Sequence, residues 1–448
     1  MPPLDRAILS RLPSLPPLTT CIPGASAAHA RPRYAVHTRS AKFLPMKENK
    51  ARILAILPLS LLLAGCGEDS IAQSEDDVRA AVESVLPEVE RAVGLPFVTT
   101  PAVAIRSREQ MRSYVDAKIA EELPPEEIER LTVAYRLFGL IPDTLDLAAL
   151  LSELYAEQVV GYYEPDSSTL YVVDDADPTI ARLTIAHELV HALQDQYMSL
   201  DSILSVRNQN DRVLAAQAIL EGQATLGSML AVMPGQDADA FGNLWTDVGV
   251  RQMMSEQQQR MPVFAAAPRI IKEGLIFPYL AGADFVRWFS RAYPDTVPFG
   301  SRLPASTEHI LQPEQYRAGD WPVALSFVES EVAVYTDDLG QFETQLLLAE
   351  WTGNDPIGVS GATGWAGDRY AVFETGGDYA LVWWTVWDDQ PAADRFFAIV
   401  SRDVGSRQTD GHSRTAEQLE VGGRPAVLYA FYPEGWERAQ DLPRVMLN

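Results

Sequence analysis

His187-Glu188-Leu189-Val190-His191 constrains this chain more than any other stretch. Two histidines four apart lie on one face of an α-helix, about one turn from each other, so their imidazoles can meet at a single metal ion. Glu188 stands roughly 100° around the same helix, near enough to take a proton from a metal-bound water. Asp177-Pro178 offers an N-cap and a first-turn proline, which predicts a helix from about Pro178 to Tyr197. Ile185, Leu189, Ala192 and Leu193 give that helix a core face and leave the histidines on another side. After residue 66 the chain has four histidines, at 187, 191, 309 and 412, and two of them fall here. The competing reading is an ordinary helix whose His pair is accidental.

A catalytic zinc takes three protein ligands and keeps one position open for water. Residues 211–226 read as a second helix, in which Glu221 is the lone acid inside an apolar stretch. A carboxylate there is costly unless it is paired or bound to metal, although an exposed helix face would also tolerate it. Gly222 and Ala224 beside it allow close helix packing. His-Glu-x-x-His followed by Leu220-Glu221-Gly222-Gln223-Ala224 resembles the gluzincin branch of the zincin metallopeptidases. That resemblance implies one Zn2+ per chain held by His187, His191 and Glu221, Glu188 as general base, and a peptide or protein substrate.

The flanks suit the same resemblance. Residues 159–164 and 170–173 are β-rich runs around Pro165-Asp166, hence a hairpin, which in zincins supplies the sheet edge that pairs with extended substrate. A purely structural hairpin reads the same from sequence. Phe277-Pro278-Tyr279-Leu280-Ala281-Gly282 is similar to the element that presents a catalytic tyrosine in aminopeptidase-type gluzincins, so Tyr279 is the first choice for the oxyanion donor. His309, in a Pro-bounded loop after Thr307-Glu308, is the second choice, against a plain solvent-exposed loop histidine. Thermolysin-like enzymes carry an acid four residues after the Glu ligand to orient a histidine. Here Thr225 stands there, and Asp195, one turn past His191, is the nearest replacement.

The N-terminal region speaks to location. A basic start at Met46 leads into an apolar run over 53–63 and then Leu63-Ala64-Gly65-Cys66, which resembles a bacterial lipobox with Cys66 as the lipidated residue. The run is too short for a stable membrane span and suits a signal peptide. Residues 1–45 read as a mis-called extension, with a transit-peptide-like leader as the alternative, and 46–65 as the signal peptide. The expected place is the bacterial cell envelope, outside the cytoplasm, with the membrane reached through the lipid. Cys21 and Cys66 are the only cysteines, so the body has no disulfide or zinc-thiolate site. The whole chain carries −25; residues 1–65 contribute +7, so Cys66 to Asn448 carries −32. Nucleic acid is a poor partner for such a surface.

The expected fold class is α+β: a zincin-like metallopeptidase domain over 66–350 and a small α/β sandwich-like C-terminal domain over 351–448. In the first, helices are expected over 74–86 (broken at Pro87), 108–123, 125–138 and 147–155, with a strand over 103–105. Residues 236–258 show weak periodicity and suit a lid or linker. In the second, strand-like alternation over 364–373, 378–387 and 426–431 with a helix over 391–404 spells a β-β-α-β(-β) unit, whose Trp383, Trp384 and Trp387 read as core. The function expected is zinc-dependent peptide hydrolysis. The alternative is a zincin-fold envelope lipoprotein that binds or chaperones without catalysis.

Overall fold

The computed structural model describes residues 74–448 apart from 123, 159, 176–177, 205, 234, 259–260, 329–332 and 407–410. Cys66, the signal-like segment and the cap residue Asp177 lie outside the described residues. The fold is mixed α+β, with ten strands in three sheets among the described residues. Strands β1 (Ala102–Arg106), β2 (Gly161–Glu164) and β3 (Thr169–Val173) form the first sheet in the order β1-β3-β2. β1 runs parallel to β3, and β2 and β3 are the antiparallel hairpin read from the sequence. Short strands β4 (Leu325–Phe327) and β10 (Val445–Leu447) pair with each other. β5 (Tyr335–Asp337), β6 (Trp365–Thr375), β7 (Asp378–Trp387), β8 (His412–Val421) and β9 (Arg424–Pro433) make an antiparallel sheet in the order β5-β6-β7-β9-β8. The helix Gln390–Ser406 joins β7 to β8, completing the β-β-α-β-β pattern. This sheet takes β5 from upstream of residue 351. Trp383 and Trp387 are fully buried and Trp384 nearly so, as core residues should be.

The helix Pro178–Tyr197, which carries the His pair, lies on one face of the first sheet. Leu170 and Val172 of β3 meet Ile185, Ala186, Leu189, Val190 and Leu193 there. The opening helix, Glu75–Val93, closes over the same cluster with Val78, Val82, Val85, Val89 and Val93. It runs straight through Pro87, where a break was expected. Ser74 and Asp77 build the capping box at its start, and five buried valines outweigh a proline cost of about 3 kcal/mol. Tyr162 and Val173 point to the opposite face, against Met111, Val115 and Ile119.

Two long helices complete the frame around the histidines. Asn210–Val232 carries Glu221 and is buried along almost its whole length. Arg269–Ala292 carries Tyr279, with Pro278 inside it. Residues 236–258 hold a short 3₁₀ turn, Ala238–Phe241, and the helix Val248–Gln258. The Asp284 carboxylate accepts from the Leu244 and Trp245 amides and ties this segment to the tyrosine-bearing helix. Among the described residues no helix is long and apolar enough to cross a membrane.

Candidate metal centre

His187, His191 and Glu221 converge. His187 Nε2 lies 3.1 Å from Glu221 Oε2 and 3.1 Å from His191 Nε2, and His191 Nε2 lies 3.4 Å from the same carboxylate oxygen. Ligands about 2.05 Å from a tetrahedral metal ion sit about 3.3 Å from one another. The three atoms therefore already stand at the spacing of a ligand set. All three side chains are buried, and among the described residues they are the one group of histidines and acids placed to hold a metal ion. Glu221 Oε1 has no hydrogen-bond partner despite its burial. The protein thus meets one oxygen of this buried carboxylate and leaves the other without a donor, a lack that a cation at the cluster would supply.

The charges agree with that fit. Burial pushes the Glu221 carboxyl up, but His191 and His187 beside it outweigh this and hold it below its ordinary value. Burial drives His187 down towards the neutral form that coordinates metal. Burial also opposes charge on His191, yet the Glu221 carboxylate more than offsets it and raises the imidazole to about 9. The Glu221 carboxylate thus draws one positive charge to the cluster, a proton on His191 or a cation that takes its place.

Glu188 is fully buried beside this group. Its Oε2 accepts from the Tyr163 amide at 2.8 Å, while its Oε1 has no partner. Burial is the main reason its carboxyl rises to about 8. Tyr163 sits in β2, the outer strand of its sheet, paired with Leu170. Val173 N donates to Val160 O on the inner side, so the register turns the Tyr163 amide outward. The edge expected to receive substrate thus spends this amide on Glu188. Tyr163 OH also donates to Asp195 Oδ2 at 3.1 Å, so β2 is pinned to the His-bearing helix at two points.

Asp195 is therefore not the group that orients His191, and the expectation made for it is corrected. Gln194 does that work: its Oε1 lies 2.8 Å from His191 Nδ1. Its amide nitrogen donates to Leu220 O and Gln223 Oε1, both at 3.0 Å. Leu220 O can only accept, which fixes the amide orientation and makes His191 Nδ1 the N–H donor. Nε2 is the nitrogen that faces the cluster, and a cation that displaces its proton would meet its lone pair there. The signal for Gln194 was available: a polar residue three after His191 on an apolar helix has to find partners.

Tyr279 comes to the site, its ring nearly parallel to that of His187 at 19° and 6.0 Å between centres. His309 does not, which corrects its place among the catalytic residues. It sits in the short helix Thr307–Leu311, fully buried rather than in a solvent-exposed loop. Its Nδ1 accepts from the Ala305 amide and its Nε2 donates to Asp320 O at 2.6 Å, so both ring nitrogens hold local structure. Tyr316 and Trp321 meet its ring edge-on. His412 pairs with Asp378 and stacks on Phe431, away from the cluster.

Residues 328–429 match a family model described as a domain of unknown function, DUF8575. The match lies wholly outside the three converging ligands. No curated protein matches the chain. Among solved structures, the chain is similar to a candidate hydrolase with a novel fold from Chloroflexus aurantiacus, at 15% identity and a TM-score of 0.35. That likeness covers 56% of this chain and 92% of the other.

Proposed function

We propose that this chain is a zinc-dependent peptidase of the gluzincin type. The observation that carries the reading is the His187–His191–Glu221 spacing of 3.1 to 3.4 Å, with Glu188 poised beside it. His187, His191 and Glu221 would hold the zinc, a borderline ion that suits two imidazoles and a carboxylate. Bound there, zinc supplies a water of lowered pKa and a Lewis acid for a carbonyl oxygen. Glu188 then has one task for each oxygen. Tyr163 N–H fixes Oε2, and the unpartnered Oε1 takes the proton of the attacking water and later hands it to the leaving amine. Tyr279, its ring near-parallel to that of His187 at 6.0 Å, is the donor to the developing oxyanion in this reading.

The non-catalytic alternative drew its support from Thr225, where an orienting acid was missing. Gln194 provides His191 with that support from the neighbouring turn, so the alternative loses its specific ground. The lipobox-like Leu63-Ala64-Gly65-Cys66 supports a location outside the cytoplasm, with the membrane reached through lipid on Cys66. Two experiments test the reading. The zinc-loaded protein, incubated with a peptide library, should cleave peptides and stop when a chelator is added; an intact library sinks the peptidase assignment. Growth with a fatty-acid analogue should label the parent and not Cys66→Ser; an unlabelled parent sinks the anchor.

A further inference from the structure

The helix bearing Glu221 and the helix bearing Tyr279 meet backbone to backbone. A Cβ on Gly282 would overlap the Ala218 carbonyl, and a Cβ on Gly222 would overlap the Gly282 carbonyl carbon and the Ala283 nitrogen. These are main-chain atoms, which cannot rotate aside as a side chain can. Gly222 directly follows the proposed third ligand, and Gly282 lies one turn after Tyr279. The contact thus sits next to both groups that the two helices bring to the site. Neither glycine has a positive φ, so backbone conformation does not demand it. Close approach does.

We propose that the Gly222–Gly282 contact is a positioning device of the metal centre, setting Glu221 and Tyr279 at their places against His187. The inference rests on Glu221 and Tyr279 having the roles proposed above. Ala218 and Ala283, both buried, leave the interface no softer residue to absorb a shift. One methyl group at either glycine must drive the helices apart, and both site groups move with their helices. Gly274 supplies the internal control, since it lies on the tyrosine-bearing helix with nothing near its would-be Cβ.

The test compares Gly222→Ala and Gly282→Ala with Gly274→Ala in the full protein, after each has shown a cooperative melt. Zinc affinity is measured by competition with a chromophoric chelator. Gly222→Ala and Gly282→Ala should bind zinc about 10–100-fold more weakly than the parent, the range seen when the support of a ligand is lost, and Gly274→Ala within twofold. A second readout needs neither metal nor activity. With 3-fluorotyrosine at position 279 of the metal-free protein, the fluorine resonance should shift in Gly282→Ala and hold in Gly274→Ala. If one alanine variant fails to fold, the other takes its place in both readouts and should act in the same direction. A fluorine resonance that Gly282→Ala leaves unmoved overturns the positioning role, whatever the metal does. A parent that binds no zinc overturns the proposed function instead, and the fluorine result still decides the contact.

Discussion

Replacing Gln194 by alanine isolates what supports His191 as a proposed metal ligand. The side chain makes three hydrogen bonds, to His191 Nδ1, Leu220 O and Gln223 Oε1, and is fully buried. Alanine leaves the Nδ1–H of His191 without its acceptor and frees the ring to turn, so Nε2 no longer points at the cluster by default. Loss of such an outer partner costs about 10–100-fold in metal affinity, or about 1.4–2.7 kcal/mol. The folded state separately loses roughly 1–3 kcal/mol for each polar group left buried and unpaired. Chelator competition reads the first effect and urea unfolding of metal-free protein reads the second. Asp195→Asn is the control, since that carboxylate accepts from Tyr163 OH while His191 Nδ1 is engaged by Gln194. It should leave zinc affinity within about threefold. A Gln194→Ala protein that holds zinc as tightly as the parent, while Asp195→Asn loses it, would return the orienting role to Asp195.

Other substitutions separate the remaining roles. Glu188→Gln keeps an acceptor for the Tyr163 amide but has no base at the second position; zinc content should stay at parent level while hydrolysis nearly vanishes. Glu221→Ala should lose both, and normal zinc content in it would remove the third ligand from the scheme. Tyr279→Phe should lower kcat about 10²–10³-fold with zinc retained, as loss of one oxyanion donor does. His309→Ala should lower the melting temperature without a comparable kcat effect, and the reverse ranking would refute the placement of both residues. Glu343 gives a pH prediction: burial, above all, raises its carboxyl to about 8, against 4.5 for the free side chain. The folded protein then holds a proton that the unfolded chain releases, so this contribution is full below about pH 4.5 and is lost as pH rises towards 8. Within that window one such group makes stability fall by about 1.4 kcal/mol per pH unit. Glu343→Gln should flatten the pH dependence by that amount in urea midpoints between pH 5 and 8; parallel curves would refute it.

The residues that speak through local spacing were legible. The helix Pro178–Tyr197, the capped start at Ser74 and the hairpin around Pro165 each follow from periodicity, caps or turn chemistry within a few residues. His187, His191 and Glu221 were legible because a histidine pair at helical spacing and a lone acid in an apolar run both require a partner. Tertiary context hid the rest. Nothing local shows that β2 turns its Tyr163 amide onto Glu188, because the bond spans 25 residues. His309 reads as a loop residue until Asp320 O and the Ala305 amide are seen to close on it. Pro87 reads as a stop because the valine ladder beyond it is invisible to a local rule.

The glutamate-bearing helix shows how far the support of the proposed metal centre extends beyond His187, His191 and Glu221. A helix N-terminus leaves backbone amides without intrahelical acceptors. At Asn210–Val232 two of these are met from the C-terminal sheet: Asn210 N donates to Asp337 Oδ1 at 2.9 Å and Asp211 N to Asp338 Oδ1 at 2.7 Å. Asp211 in turn accepts from the Thr307 amide and hydroxyl. Asp368 of β6 takes the Leu339 and Gly340 amides and the indole N–H of Trp365 and Trp383, which fixes the loop that presents Asp338. Asp337, Asp338 and Asp368 all lie within the matched segment 328–429, whereas Glu221 does not. Ending the chain at residue 327 would retain every proposed ligand and still strip the cap from the helix that carries one of them. Loss of a helix cap costs about 0.5–2 kcal/mol, before the loss of the shared core is counted. The shortened chain should therefore show no cooperative melt and no stoichiometric zinc. Asp338→Ala in the full chain should show the milder form, with lower stability and weaker zinc binding together. A chain of residues 74–327 that melts cooperatively and binds zinc at parent affinity would mean that Glu221 is held from within its own half, and that the C-terminal sheet serves some other end.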